Sequence, residues 1–217
     1  MSIRILLVDD HQMMRDGLRS ILDLEDDLDV VGEAGNGYEA IEMARTRRPD
    51  VVVMDIGMKN MNGIDATRQI RAQDPRAKVV ALSTHSDESY VLGMFKAGAS
   101  GYVLKDAAVE EMRRAIRAVA AGHHYLSPEI AGSVVASHVR GPLEDSASLS
   151  SALAPRERQI LQLLAEGHTS SEIARKLHIA TTTVDSHRRN IMKKLDLHSV
   201  AELTKYAIRE GLTSLES

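Results

Sequence analysis

The sequence predicts a doubly wound α/β fold with a five-stranded parallel sheet, followed by a linker and an all-α unit of four helices. Three observations predict it. Short apolar runs alternate with segments of 3.6-residue periodicity from residue 3 to about residue 121, an aperiodic stretch follows, and the text beyond Pro155 has helical spacing throughout. The apolar runs are IRILLV, LDVVGEA, DVVVMD, KVVALS and GYVLK, each leading into a helical pattern. The stretch GPLEDSASLSSALAP, rich in Gly, Pro and Ser, marks the linker, after an extra helix in SPEIAGSVVASHV. The expected divisions are therefore 1–121, an extra helix and linker over 122–149, and 150–217.

Composition narrows the function classes. With 43% apolar and 27% charged residues, the 217-residue chain is globular and can bury a core, but aromatics at 3% make that core aliphatic and disfavour base stacking on single strands. The absence of Cys excludes disulfides and thiolate zinc sites. No segment approaches the roughly 18 uninterrupted apolar residues of a membrane span, and the apolar run in MSIRILLVDD is too short for a signal peptide, so a soluble, cytoplasmic protein without a membrane partner is expected. Charge is unevenly placed. Residues 1–149 carry 17 basic and 23 acidic side chains, whereas 150–217 carry 10 and 8, so only the second part favours phosphate.

In an open parallel sheet, ligands bind beyond the carboxyl ends of the strands. Here the first strand ends in Asp9 and Asp10, the third in Asp55, the fourth in Ser83 and the fifth in Lys105. Each has an ordinary reading alone: Asp10 as a helix cap, Asp55 as a turn residue, Lys105 as a surface lysine. Together they make a matched set on one edge. Clustered carboxylates repel by about 4 kcal/mol per close pair at an effective dielectric near 20, so they call for a cation, and oxygen ligands suit Mg²⁺. Asp55 is then a carboxylate nucleophile for a phosphoryl group, with Mg²⁺ and the Lys105 ammonium neutralising the oxygens. The glycines of VVGEAGNG follow the second strand in the wrong order for a dinucleotide fingerprint and read as a turn.

Beyond Pro155, Gly167 closes the first helix and Thr169-x-x-Glu172 is a capping box that opens the second. A short turn at HIAT leads to a third helix, which is helix-turn-helix spacing. On that helix Val184, Ile191 and Leu195 face inward, while Thr182, Asp185, Ser186, Arg188, Arg189 and Lys193 form the expected DNA-contacting set. A basic helix face is commonly only a solvated one. The excess of +3 over residues 182–194, behind a capped helix and a tight turn, favours a major-groove reader of double-stranded DNA. Ser199-x-x-Glu202 is a second capping box opening the last helix, where Leu203 and Ala207 pack inward and Val200, Thr204 and Ile208 are left to meet a two-fold partner. The competing reading is that these three only complete the four-helix core.

The Asp9/Asp10 pair, Asp55, Ser83, Tyr102 and Lys105 resemble the residue set of a flavodoxin-like response-regulator receiver domain. The resemblance implies that Asp55 is the phosphoacceptor, Ser83 the switch hydroxyl and Tyr102 the switch aromatic, and that the Gly57 backbone carbonyl joins Asp9, Asp10 and Asp55 around Mg²⁺. The elements PRERQIL, EIARKL, TVDSHRRNIMKKL and AEL are similar to LuxR-type helix-turn-helix domains, so the whole chain looks like a NarL/FixJ-type response regulator. That implies a sensor histidine kinase as partner, a homodimer when phosphorylated or DNA-bound, RNA polymerase as a further partner, and no catalysis beyond the receiver's own phosphorylation and dephosphorylation. The chain departs from the family's usual pattern at Lys59, where Pro is common, and at Asp185, where many members have Lys facing DNA. Ala154 and Ala180 stand where a Thr or Ser cap, worth about 1 kcal/mol, is frequent. A haloacid-dehalogenase-type phosphatase is the rival, but it wants an acid two residues after the nucleophile, and that place is Gly57. A vestigial receiver is the other rival, and the intact acidic set opposes it. His123 and His124 lack a third metal ligand and read as surface residues.

Overall fold

The computed structural model describes residues 2–107, 109–132 and 153–213, and the chain divides into two compact units, Met1–Arg140 and Gly141–Ser217. In the first unit β1 (Ile3–Val8), α1 (Gln12–Leu22), β2 (Leu28–Ala34), α2 (Gly37–Arg47), β3 (Val51–Asp55), α3 (Gly63–Gln73), β4 (Lys78–Ser83), α4 (Glu88–Ala97), β5 (Gly101–Leu104) and α5 (Val109–Ala120) alternate as the sequence predicts. The strands run in the order β2-β1-β3-β4-β5, all parallel, so the winding reverses between β1 and β3.

One expectation needs correction, because the sheet has six strands rather than five. Tyr125–Leu126 forms β6 beside β5, with Tyr125 N–H donating to Ser100 O and Ser127 N–H to Tyr102 O, each at 3.0 Å. Two residues are too few for an apolar run or an alternation to show in the sequence. Residues 128–132 are helical, in keeping with the start of the expected extra helix; the remainder of that helix and the linker up to residue 149 lie outside the described residues.

Helices cover both faces of the sheet, which explains why its strands are continuous apolar runs. Leu6, Val8, Val52 and Met54 pack with residues of α2, α3 and α4 on one face, and Ile5, Leu7, Val51 and Val53 with α1 and α5 on the other. Burial thus fills the bodies of β1, β3 and β4, whose buried polar residues Asp9, Asp55 and Ser83 stand at the strand ends, while only the edge strand β2 carries acids, Asp29 and Glu33, along its length.

The second unit comprises α6 (Pro155–Ala165), α7 (Ser170–Leu177), α8 (Thr181–Leu195) and α9 (Val200–Arg209). Ile160, Leu164, Ile173, Val184, Ile191, Leu195, Leu203 and Ala207 share one aliphatic core, joined by Tyr206. Both expected capping boxes form, at Thr169 with Glu172 and at Ser199 with Glu202. Ala180 has no side chain to cap α8. Ala154 has none for α6 either, but Glu157 Oε2 reaches back to accept from Ala154 N–H at 2.9 Å, so the return half of a capping box survives.

Glu157 also ties two helices together, because the same Oε2 lies 2.7 Å from Lys194 Nζ on α8. Burial, the largest influence, pushes its pKa up, yet the Lys194 hydrogen bond and the Ala154 N–H together hold it below the usual glutamate range. A depressed folded-state pKa contributes stability that is present above the unfolded value near 4.3 and lost as pH falls through the folded value. Glu157→Gln should therefore destabilise the second unit at pH 7 by about 1–2 kcal/mol, a modest figure because Lys194 is partly solvated. The difference between variant and wild type should shrink as the pH is lowered towards 3, as read from urea midpoints.

Candidate functional site

The reversal of winding sets Asp9 beside Asp55. The pairing of β1 with β3 ends at Val8 and Met54, so the next residue on each side, Asp9 just past β1 and Asp55 as the last residue of β3, stands at the same level of the sheet edge. Asp9, Asp55 and Ser83 are all at most 3% exposed, and Lys105 reaches in from the end of β5. Its Nζ lies 2.7 Å from Asp9 Oδ2 and 3.0 Å from Asp55 Oδ2, bridging the two acids. Burial first, then the neighbouring Asp9 charge, raises the Asp55 pKa, while Lys105 and the Gly57 N–H, 3.2 Å from Asp55 Oδ1, oppose the rise. For Lys105 burial is again the largest influence and lowers the pKa, but the two carboxylates outweigh it and the net shift is upward.

Asp10 and His11 complete the acidic edge. Asp9, Asp10, His11 and Asp55 each offer a ligand atom, all within 4.8 Å of one another. Asp10 Oδ1 is buried with no hydrogen-bond partner, and His11 Nδ1 lies 2.9 Å away without hydrogen-bonding geometry. Asp10 Oδ2 accepts from the backbone N–H of Lys59 at 3.4 Å. An orphaned carboxylate oxygen among converging acids, with a single ammonium for company, is a donor set that fits a hard divalent cation. The sequence reading missed His11, although its place directly after two acids was the available signal, and missed Arg15, whose Nη1 holds the Asp9 carbonyl at 2.6 Å.

Ser83 and Tyr102 both grip the loop after β4. Ser83 Oγ accepts from His85 N–H at 3.0 Å, and Tyr102 OH donates to His85 O at 2.8 Å. Burial pushes the Tyr102 pKa up, with a hydrogen bond to Ser83 acting against it. The His85 ring stacks on Tyr90 with centroids 4.3 Å apart, and Lys105 N–H donates to Ser83 O at 2.7 Å, so the ends of β4 and β5 are tied by main chain as well. On the other flank Gly63 opens α3 against β3. Its N–H donates to Ile56 O at 3.0 Å, and a Cβ at this position would overlap the Asp55 carbonyl oxygen.

In the second unit Thr182, Asp185, Ser186, Arg189 and Lys193 are exposed on α8 and Arg188 is half-buried. Arg189 Nη2 lies 3.4 Å from Ser186 Oγ, and Asp185 Oδ1 accepts from Ser170 Oγ at 2.8 Å. On α9 Leu203 and Ala207 are buried as expected, as is Tyr206, which the sequence reading did not place in the core. Val200 is 39% exposed, and Thr204 and Ile208 are half-buried one and two turns further along.

A buried acid edge at the reversal point of a parallel sheet and a compact helix-turn-helix unit are the two parts of a regulator with an α/β receiver and a DNA-binding domain. The chain is matched over residues 5–117 by the response regulator receiver domain, and over residues 151–207 by the luxR family of bacterial regulatory proteins. It is 39% identical over 212 residues to the transcriptional regulatory protein MctR of Rhizobium johnstonii, covering 98% of this chain and 96% of that one. It is 37% identical to the response regulator UvrY of Escherichia coli, over 99% and 98% of the two chains. A crystal structure of a two-component response regulator of the LuxR family from Aurantimonas sp. SI85-9A1 superposes with a TM-score of 0.62 at 39% identity, covering 64% of this chain and 99% of that one. The protein belongs to the response regulators that join a receiver domain to a LuxR-type DNA-binding domain, a family of transcriptional regulators. Among the described residues no helix is long and apolar enough to cross a membrane.

A divalent cation held by the acidic edge should raise the thermal midpoint, equivalent to about 2.7 kcal/mol at a hundredfold excess over its dissociation constant. Asp10→Asn should reduce that gain without lowering the midpoint in EDTA; an undiminished gain would place the ion elsewhere.

Proposed function

We propose that the protein is a cytoplasmic two-component regulator whose Asp55 takes a phosphoryl group from a sensor histidine kinase, and whose phosphorylation promotes dimerisation and sequence-specific DNA binding. The observation that carries this reading is the Lys105 ammonium bridging Asp9 and Asp55 at the carboxyl edge of the sheet. Mg²⁺, held by Asp9, Asp10, Asp55 and the Gly57 carbonyl, would supply positive charge to the phosphoryl oxygens. An Asp55 carboxylate oxygen attacks phosphorus, its O–P bond forming as the P–N bond to the kinase's histidine breaks and the imidazole leaves with the electron pair. Lys105 turns from the carboxylates to the new phosphoryl oxygens, and the Ser83 hydroxyl donates its proton to one of them. Both movements pull on His85, through Ser83 Oγ directly and through the Ser83 main chain bonded to Lys105. The receiver performs no other chemistry, and water later removes the phosphoryl group at the same site.

In the second unit Thr182, Asp185, Ser186, Arg188, Arg189 and Lys193 face the DNA, with the cations on phosphates. Val200, Thr204 and Ile208 form one stripe along α9, the surface we assign to the two-fold partner, and DNA-bound dimers could in turn engage RNA polymerase. A swing from 1:99 to 99:1 between inactive and active states needs about 5.5 kcal/mol, so phosphorylation shifts the balance partly and dimerisation on DNA completes it.

Intact mass after treatment with a small-molecule phosphodonor tests the first half. One phosphoryl group should be gained only with Mg²⁺ present and not at all by Asp55→Asn; equal uptake by that variant removes Asp55 from the role. For the second half, Arg189→Ala should weaken binding to every duplex and flatten the plot of log affinity against log salt by about 0.9. An unaltered slope in fluorescence anisotropy titrations would take Arg189 off the phosphates.

A further inference from the structure

We infer that Asp185, braced by Ser170, reads the amino group of one cytosine in each DNA half-site. The inference rests on the DNA-binding reading above and adds the identity of one recognised base. Asp185 is exposed in the first turns of α8, on the same side as Thr182, Ser186 and Arg189. Its Oδ1 accepts from Ser170 Oγ at 2.8 Å, across from the first residue of the neighbouring helix α7. Its natural ion-pair partner four residues on, Arg189, lies against Ser186 Oγ instead. The carboxylate is therefore oriented by a neutral hydroxyl and not neutralised by a cation, and Oδ2 has no partner among the described residues.

An acid so placed meets a hostile surface on DNA. Phosphates repel it, and so do the groove acceptors N7 and O6 of guanine and O4 of thymine. In the major groove only cytosine N4 and adenine N6 present hydrogen-bond donors to it. Adenine N6 is flanked by the acceptor N7, which faces the second carboxylate oxygen, whereas cytosine N4 is flanked by C5–H, which does not repel. The Ser170 hydroxyl fixes the rotamer and caps the oxygen that would otherwise point at neighbouring acceptors. Discrimination thus arises largely from rejection of the wrong bases, with Ser170 as the positioning residue.

The test is selection from randomised duplexes with the full-length protein, followed by titrations of the selected duplex and its single-base changes. In the wild type one cytosine per half-site should be required, its replacement weakening binding about tenfold or more. Asp185→Asn should lose that requirement at that position alone and turn towards adenine, which an amide contacts bidentately. Ser170→Ala should narrow the preference to a few-fold while other positions keep theirs. A cytosine requirement unchanged in Asp185→Asn overturns the inference and leaves the DNA-binding reading standing. A full requirement retained in Ser170→Ala overturns the bracing role. Failure of the wild type, phosphorylated or not, to enrich any motif overturns the DNA-binding reading itself.

Discussion

One ammonium between two buried carboxylates governs the first unit. Lys105 Nζ is within 3.0 Å of both Asp9 and Asp55, and neither acid is more than 3% exposed. Two such charges side by side in a low-dielectric interior each favour the neutral form, and at Asp55 burial first, then the Asp9 charge, push the pKa up against the pull of Lys105. The topology supplies the pair by placing β1 next to β3, and supplies the counter-charge from β5, two strand spacings or about 10 Å from β3. Only a long side chain spans that gap. The strand order, the burial and the choice of lysine are therefore one constraint seen three times, and the residual negative charge is what makes the edge receptive to a metal ion.

The second unit is held differently. Its core is small and aliphatic, and its polar pins act between helices: Glu157 to Lys194, Arg156 Nη2 to Leu177 O at 2.8 Å, and Ser170 to Asp185. Each pin fixes an angle between helices more than it adds stability. A helix as exposed as α8 holds its orientation through such pins, without the weight of a large core behind it.

What was legible in the sequence was what repeats or what is local. The five longer strands announced themselves because both faces are covered, and the strand ends stood out because polar residues broke apolar runs at corresponding places. Capping boxes at Thr169 and Ser199 are four-residue patterns and are read directly. β6 carried no pattern, being two residues long. Tyr206 escaped because an aromatic with a hydroxyl gives no clear inward signal beside Leu203 and Ala207. The missing cap at Ala154 looked like a deficit, yet Glu157 serves that end from the other direction, and its bond to Lys194 spans 37 residues of sequence. Such a pairing exists only once the helices have packed.

Gly63 makes the surroundings of Asp55 unequal. On the α3 flank main chain lies against main chain, since the Asp55 carbonyl occupies the space a side chain at Gly63 would need, and Ile56 Cα is also close. On the β4 flank the contacts from Ser83 and Tyr102 to His85 are hydrogen bonds, which can be exchanged for others without a clash. Steric overlap resists displacement steeply and in one sense, whereas a hydrogen bond can be traded. The end of β3 is therefore walled on the α3 flank and only tethered on the β4 flank, so the fold's resistance to displacement there is one-sided, a ratchet of contact and not of charge.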